Sequence, residues 1–251
     1  MGLVTKPWES FSDEELLNVR VKDLGLSIQA TPLQRRITAF RRELRLRGIL
    51  LQPQFYLGDE WFSPEGELAI SIPFYLAHPR LQALERQMMH QVEGGTAVEF
   101  RRILRHELGH CFDHAHGFSS TRLWRRVFGD PRRKYQPERY AVNLQSRRYV
   151  KHLPGHYAQA HPDEDFAETF AVWLGSAKSK NRLKYATWPV AWSKIQYVES
   201  LAQKYGGKPM GGRTDRRAGI CRADRMGITL KEYYTRRKNE ESKSKKKASA
   251  S

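Results

Sequence analysis

Apolar side chains recur at helical spacing most regularly between residues 97 and 116. Their intervals of three and four residues predict a helix with one buried face. Thr96 and Glu99 form a T-x-x-E capping box at its start, and Gly117 is a natural end. The buried face would consist of Phe100, Ile103, Leu104, Leu108, Cys111, Phe112 and Ala115.

A second strongly patterned helix is predicted to begin near His161. Pro162 suits the first turn of a helix, and the acidic residues that follow it suit the positive end of the helix dipole. Gly175 is expected to end this helix. Its apolar face would consist of Phe166, Ala167, Phe170, Ala171 and Leu174.

The rest of the pattern predicts further helices and a short strand region, and therefore an α+β fold. Pro73 would place the second strand at a sheet edge, because proline cannot donate to a strand ladder. The basic segment 122–150 is only loosely periodic and predicts no element. Helices are expected over residues 13–24, 32–47, 78–92 and 190–205 and from Thr229, capped by Glu232, and strands over 52–57 and 66–76.

Composition narrows the class of protein. A chain of 251 residues with 39% hydrophobic residues can build a packed core, which excludes general disorder and a collagen repeat. Two cysteines far apart in sequence exclude a disulfide-stapled miniprotein. No stretch approaches the ~20 apolar residues of a membrane span, and the first residues lack the apolar core of a secretory signal. We expect a soluble, cytoplasmic protein with no membrane partner.

The charge of the chain and the positions of its glycine-rich and lysine-rich stretches suggest how it is divided into segments. The net charge of +17 favours polyanions or acidic partners, through a field that salt weakens. The lysine-rich end, residues 243–251, has no apolar periodicity and predicts disorder. We expect an N-terminal helical segment (1–50), a main domain (51–206), a Gly-rich loop with a basic helix (207–240) and a disordered tail (241–251).

The chemistry centres on an H-E-x-x-H motif inside the first patterned helix. His106 and His110 are four residues apart, so both imidazoles lie on one helix face and can converge on a single cation. In zinc sites of this kind two histidines and one carboxylate hold the metal, and a neighbouring glutamate, here Glu107, takes a proton from water. Gly109 within the helix suggests that another element packs closely there.

A third ligand is needed, and acidic residues are scarce near the motif. Residues 101–148 contain 12 cationic and four acidic side chains. Four carboxylates are instead packed into the second patterned helix, where Glu164 and Glu168 share one face. We expect one of them to bind the metal and the other to accept the free N–H of a ligating histidine. The four acidic residues are Asp163, Glu164, Asp165 and Glu168.

These motifs carry a family resemblance. The stretches HELGHCFDHAHG and EDFAETF resemble the gluzincin branch of the zincin metallopeptidases, especially the catalytic domain of anthrax lethal factor. The segment IPFYLAHPRL also resembles a group of bacterial zinc-binding metallopeptidases. The resemblance covers residues 68–175 and leaves the N-terminal helices and the basic C-terminus uncovered. It implies a zinc-dependent peptidase with a zincin-like fold.

The resemblance also implies roles for particular residues. His106, His110 and Glu164 would bind Zn²⁺, Glu107 would be the general base, and Glu168 would orient a ligand. Tyr157, seven residues before Glu164, would stabilise the oxyanion, with His156 as a weaker candidate. The 53 residues between His110 and Glu164 exceed the short spacer of the thermolysin-like members.

The implied zincin-like fold has a small mixed sheet whose edge strand lies over the motif helix. In zincins a substrate extends along that strand and adds main-chain hydrogen bonds to it. Residues 69–75 are the candidate strand here. The expected substrate-binding residues are Ser71, Ile72 and Phe74.

Other interpretations stay open. A histidine as third ligand would point to SprT-like proteases, which act on DNA-bound proteins; the candidates are His114, His116, His152, His156 and His161. The chain is alternatively a nucleic-acid-binding protein with a structural or vestigial zinc. In that case Tyr135 and Tyr140 could stack on bases, but they could equally well pack in a core. The cations of such a protein would be Arg101, Arg102, Arg105, Arg125, Arg126, Arg132, Arg133 and Lys134. A peptidase recruited to a polyanion by its basic tail would combine both activities.

Overall fold

The computed structural model describes residues 6–135, 140–211 and 221–248. The described parts are mainly helical, with four short strands. The helices are α1 (Asp13–Leu17), α2 (Pro32–Leu46), α3 (Pro79–Met89), α4 (Ala97–His116), α5 (Arg122–Phe128), α6 (Pro162–Gly175), α7 (Lys178–Tyr185), α8 (Pro189–Tyr205) and α9 (Leu230–Ala248). The strands are β1 (Leu51–Gln52), β2 (Gln54–Gly58), β3 (Ala69–Pro73) and β4 (Met210–Gly211).

Several short 3-10 helices connect these elements. They lie at Pro7–Ser10, Val21–Leu24, Phe74–Ala77, Phe118–Ser120, Pro154–Gln159 and Ala223–Arg225. The first predicted helix is therefore split, because α1 ends at Leu17 and a 3-10 turn follows. The α+β class agrees with this mixture of helices and short strands.

The strands pair differently from the single mixed sheet that the sequence suggests. They form two separate parallel pairs, β1 with β4 and β2 with β3. The antiparallel contacts among the described residues are single bridges, one of which joins Phe62 to Ser71 on β3. The backbone N–H of Ser71 donates to the Phe62 carbonyl over 2.8 Å. Residue 62 therefore pairs with β3 at the point predicted to be a free edge.

The two patterned helices pack against each other at the centre of the fold. A Cβ atom on Gly109 of α4 would lie 2.7 Å from the Cα atom of Ala167 on α6, closer than packed atoms approach. The close packing predicted from this glycine is confirmed. Apolar contact continues along the pair, where the Phe112 and Phe170 rings lie 5.1 Å apart. The short distance between the helix axes brings polar groups of both helices within reach of each other.

The C-terminal helix departs most from the sequence prediction. Helix α9 continues to Ala248, so it includes residues of the tail that we predicted to be disordered, while residues 249–251 lie outside the described part. Tyr233 and Tyr234 at its start are buried. Arg237 binds the buried Glu85 of α3 over 2.6 Å, which anchors the helix to the rest of the fold.

One continuous core connects the segments that the sequence analysis separated. Its buried apolar residues run from Trp8 to Tyr234 and include members of α2, β3, α4, α6 and α8. The division into four segments stays a prediction. No helix in the described ranges combines the length and the apolar character needed to cross a membrane.

Candidate metal centre

Helix α4 presents the two histidines of the motif to α6. The Thr96 hydroxyl caps its first turn by accepting from the Glu99 N–H, and Gly117 ends it with a left-handed φ of 64°. Helix α6 begins at Pro162, and the side chain of the preceding residue, His161, caps it by accepting from the Asp163 N–H. Both helices begin where the sequence predicts, and the structure shows the Thr96 hydroxyl half of the predicted capping box.

Three potential ligand atoms converge between these helices. Glu164 Oε2 lies 3.0 Å from His106 Nε2 and 3.4 Å from His110 Nε2, and the two Nε2 atoms are 3.1 Å apart. Tetrahedral zinc with bonds of 2.0–2.2 Å separates its ligand atoms by about 3.3–3.5 Å. The three distances lie within about 0.3 Å of that range, so small side-chain adjustments would bring the atoms to the spacing of zinc ligands. Among the described residues they form a group of histidine and carboxylate ligands able to hold a metal ion.

Glu168 fixes the orientation of His106. Its Oε1 lies 3.0 Å from His106 Nδ1, and its Oε2 accepts from the Leu153 N–H over 2.9 Å. Because a carboxylate only accepts, His106 donates from Nδ1, and the neutral ring then has its lone pair on Nε2. That lone pair faces Glu164 and His110. Three electron-rich atoms at this distance require a cation among them, a proton or a metal ion.

The pKa values of His106 and Glu164 reflect the need for a positive charge among these atoms. Burial favours neutral His106, but its hydrogen bonds to Glu164 and Glu168 outweigh burial and raise the His106 pKa well above its usual value. Burial alone would raise the pKa of Glu164, yet the charges and hydrogen bonds of His110 and His106 hold that pKa far below its usual range. Glu164 therefore stays ionised, as a metal ligand must be.

Glu107 is held by a residue that the sequence did not single out. The Ser63 hydroxyl lies 2.8 Å from Glu107 Oε2 and 3.0 Å from the Glu107 carbonyl oxygen, and both residues are buried. Cys111 is buried beneath them, where its thiol faces the Ala69 carbonyl at 3.4 Å. Burial raises the pKa of the Cys111 thiol to about 12, which fits the predicted core role. No motif marks Ser63, since it lies far from the helix in sequence.

Tyr157 is next to the cluster, together with a second tyrosine. Its ring centroid lies 5.7 Å from that of His106. The Tyr157 and Tyr135 hydroxyls are 2.7 Å apart, and Tyr135 donates to Glu164 Oε1 over 3.0 Å. Burial, followed by the Glu164 charge, raises the pKa of both phenols far above their usual value, so both keep their protons. The sequence alone predicts Tyr135 only as a base-stacking or core residue.

The other candidate histidines lie outside the cluster of ligand atoms. His161 Nε2 faces the Arg133 carbonyl and His152 Nε2 the Arg102 carbonyl, while His116 stacks on Phe118. His114 stacks beside His110, with ring centroids 6.2 Å apart. His156 has a left-handed φ of 57°. In the described ranges it is Glu164 that joins the two motif histidines.

The expected substrate strand is buried. Ser71 is 2% exposed, and Ile72 and Phe74 are both 0% exposed. Phe74 has left the strand and begins a 3-10 helix. Because these three residues are buried and the Ser71 amide is already paired with Phe62, they offer no accessible surface to a substrate, and we leave them out of the proposed site.

Comparison with known proteins adds one finding. Residues 98–204 match a family described as "Putative zinc-binding metallo-peptidase". The match covers all of α6 and all but one residue each of α4 and α8, and so includes the three candidate ligands. It supports a metallopeptidase function in general, and with the His–His–Glu group it indicates zinc as the cofactor. No curated protein and no solved structure matches the chain.

Proposed function

We propose that this protein is a zinc-dependent peptidase of the gluzincin type. The observation that carries the proposal is the convergence of His106 Nε2, His110 Nε2 and Glu164 Oε2 within 3.0–3.4 Å, with His106 oriented by Glu168. A carboxylate as third ligand distinguishes this type from SprT-like proteases. The zincin-like fold and the likeness to the lethal factor catalytic domain are parts of this proposal.

Glu107 is the proposed general base. Zinc in such a site supplies Lewis acidity, which activates water at neutral pH and polarises a peptide carbonyl. Glu107 directly follows the ligand His106, and Ser63 holds its Oε2 and leaves Oε1 without that partner. In this proposal Oε1 takes the proton of the attacking water and later gives it to the leaving amine.

Tyr157 is the proposed oxyanion donor. Its hydroxyl keeps its proton, because burial and the nearby Glu164 charge disfavour the phenolate and raise its pKa. A neutral phenol close to the metal ligands can donate to negative charge that develops on the carbonyl oxygen. His156, the weaker candidate, is not part of this proposal.

Nucleic-acid binding as the main function has less support. Arg105 forms an ion pair with Glu43 over 2.7 Å, Arg102 donates to the His152 carbonyl, and Arg125 donates to the Ser119 and Ser120 carbonyls. The Tyr135 and Tyr140 hydroxyls are engaged within the protein. Several members of the predicted basic surface therefore have structural partners, although the net charge of +17 remains.

The function is tested by looking for new peptide ends. Zinc-loaded protein is incubated with an unfolded protein mixture, and new N-termini are identified by mass spectrometry. We expect cleavage that a zinc chelator stops and added zinc restores, because the metal group supplies the Lewis acid. If no new peptide ends form while DNA or RNA is bound in a salt-sensitive manner, the peptidase proposal is wrong. That result would support the nucleic-acid interpretation instead.

A further inference from the structure

Tyr135 occupies a position that the proposed chemistry leaves without a role. Its hydroxyl lies between two groups of the site, 2.7 Å from the Tyr157 hydroxyl and 3.0 Å from Glu164 Oε1. Its ring packs edge-on against His161, with centroids 5.4 Å apart. Because His161 caps the start of α6, the helix that carries Glu164 also fixes the location of Tyr135.

The direction of the hydrogen bonds follows from the number of protons. An ionised carboxylate can only accept, so the one phenolic proton of Tyr135 is committed to Glu164. The Tyr135 oxygen is then available only as an acceptor toward Tyr157. The chain of hydrogen bonds therefore runs from Tyr157 to Tyr135 and from Tyr135 to Glu164.

The two oxygens of Glu164 consequently have separate partners. Oε2 faces the imidazoles of His106 and His110, whereas Oε1 accepts from Tyr135. A donor on Oε1 resists rotation of the carboxylate about its terminal bond. Partners of this kind orient a metal ligand before the metal arrives.

We propose that Tyr135 is a positioning residue that fixes the Glu164 carboxylate for metal binding and holds the Tyr157 hydroxyl in place until substrate arrives. The part that concerns Glu164 depends only on the metal centre. The part that concerns Tyr157 rests on the proposed peptidase function. When a substrate oxyanion forms, the Tyr157 O–H turns toward it, while Tyr135 stays bound to Glu164.

Zinc affinity tests the first part without any assay of activity. Tyr135→Phe removes one hydroxyl from a side chain that is 48% exposed, so the fold should be preserved. We expect the zinc Kd, measured by competition with a chromophoric chelator, to rise about tenfold, the lower end of the effect of such ligand partners. Cobalt(II) in place of zinc should show a changed visible spectrum in the variant.

Tyr140→Phe is the matched control. Tyr140 lies five residues after Tyr135 in the sequence and its ring lies beside Tyr157, but its hydroxyl donates to the Gly155 carbonyl. The zinc Kd of the Tyr140→Phe variant should stay within twofold of that of the parent protein. A zinc Kd for Tyr135→Phe within twofold of the parent, or an equal loss in both variants, overturns the proposed role at Glu164.

A double-mutant cycle tests the second part. If Tyr135 acts through Tyr157, Tyr135→Phe at saturating zinc should lower kcat and leave KM unchanged, and should have no further effect on kcat in a Tyr157→Phe background. Independent, multiplying losses in kcat contradict this part. If neither the parent nor any variant cleaves peptides, the peptidase function fails, and the zinc measurements still decide the role of Tyr135 at Glu164.

Discussion

Glu107→Gln should lower kcat/KM for peptide cleavage by about 10²–10⁴-fold, the usual contribution of a general base. Glutamine keeps the shape of the side chain and can still accept the Ser63 hydroxyl at the position of Oε2. It cannot take a proton from water. Because Glu107 is not one of the three converging side chains, the variant should retain the zinc content of the parent protein.

Glu99→Gln provides the control for this substitution. Glu99 lies in the first turn of the same helix, is partly exposed, and lies seven residues before His106. The Glu99→Gln variant should cleave peptides at a rate close to that of the parent protein. A Glu107→Gln variant that contains zinc and cuts at the parent rate would remove Glu107 from the mechanism.

Lys194→Met should lower the free energy of unfolding by about 1–3 kcal/mol, because it leaves the buried Asp165 carboxyl and the Arg148 carbonyl without the hydrogen bonds that Lys194 donates. Lys194 Nζ lies 2.5 Å from Asp165 Oδ2, and the two residues are 4% and 1% exposed. Burial raises the pKa of Asp165 to about 7, although the Lys194 charge opposes this rise. The pair ties α8 to the first turn of α6, next to Glu164.

Lys178→Met is the matched control on the surface. Lys178 pairs with Glu199 over 3.0 Å, but its side chain is 67% exposed. An exposed pair contributes at most about 1 kcal/mol, so the control should unfold at nearly the parent denaturant concentration. Equal losses in the two variants, measured by urea unfolding, would show that burial of the Lys194–Asp165 pair has no special importance.

The parts of the site on α4 and α6 could be predicted because local signals agree there. Helix α4 runs from Ala97 to His116, the range that the apolar spacing and the Thr96 and Gly117 signals predict. Gly109 also signalled the close approach of another helix. These two helices carry His106, His110, Glu164 and Glu168, so the sequence pattern alone locates the candidate ligands.

The residues that support the site could not be predicted, because the path of irregular chain decides their position. Ser63 and Tyr135 belong to segments without periodicity, and they reach Glu107 and Glu164 only through the folded arrangement. The pairing of residue 62 with β3 is likewise a long-range contact. The 53-residue spacer that had no counterpart in the thermolysin-like members supplies Tyr135, Leu153 and Tyr157 to the site.

Helices α5 and α7 and the end of α9 were not predicted, for a different reason. Helix α7 has the sequence KSKNRLKY and buries only Asn181 and Tyr185, so its apolar pattern is too sparse to recognise. The end of α9 is rich in lysine, which suggested disorder. Lysine, glutamate and alanine nevertheless favour helix, and a helix already anchored at Tyr233 and Tyr234 can continue through them.

The most direct measurement of the central claim is the zinc content of purified protein, determined by elemental mass spectrometry after dialysis. The parent should contain one zinc per chain, while His106→Ala and His110→Ala should contain almost none and His116→Ala should match the parent. Circular dichroism would establish that each variant is folded before its zinc is counted. Folded His106→Ala and His110→Ala proteins that both keep a full equivalent of zinc would contradict the metal centre and the peptidase function that depends on it.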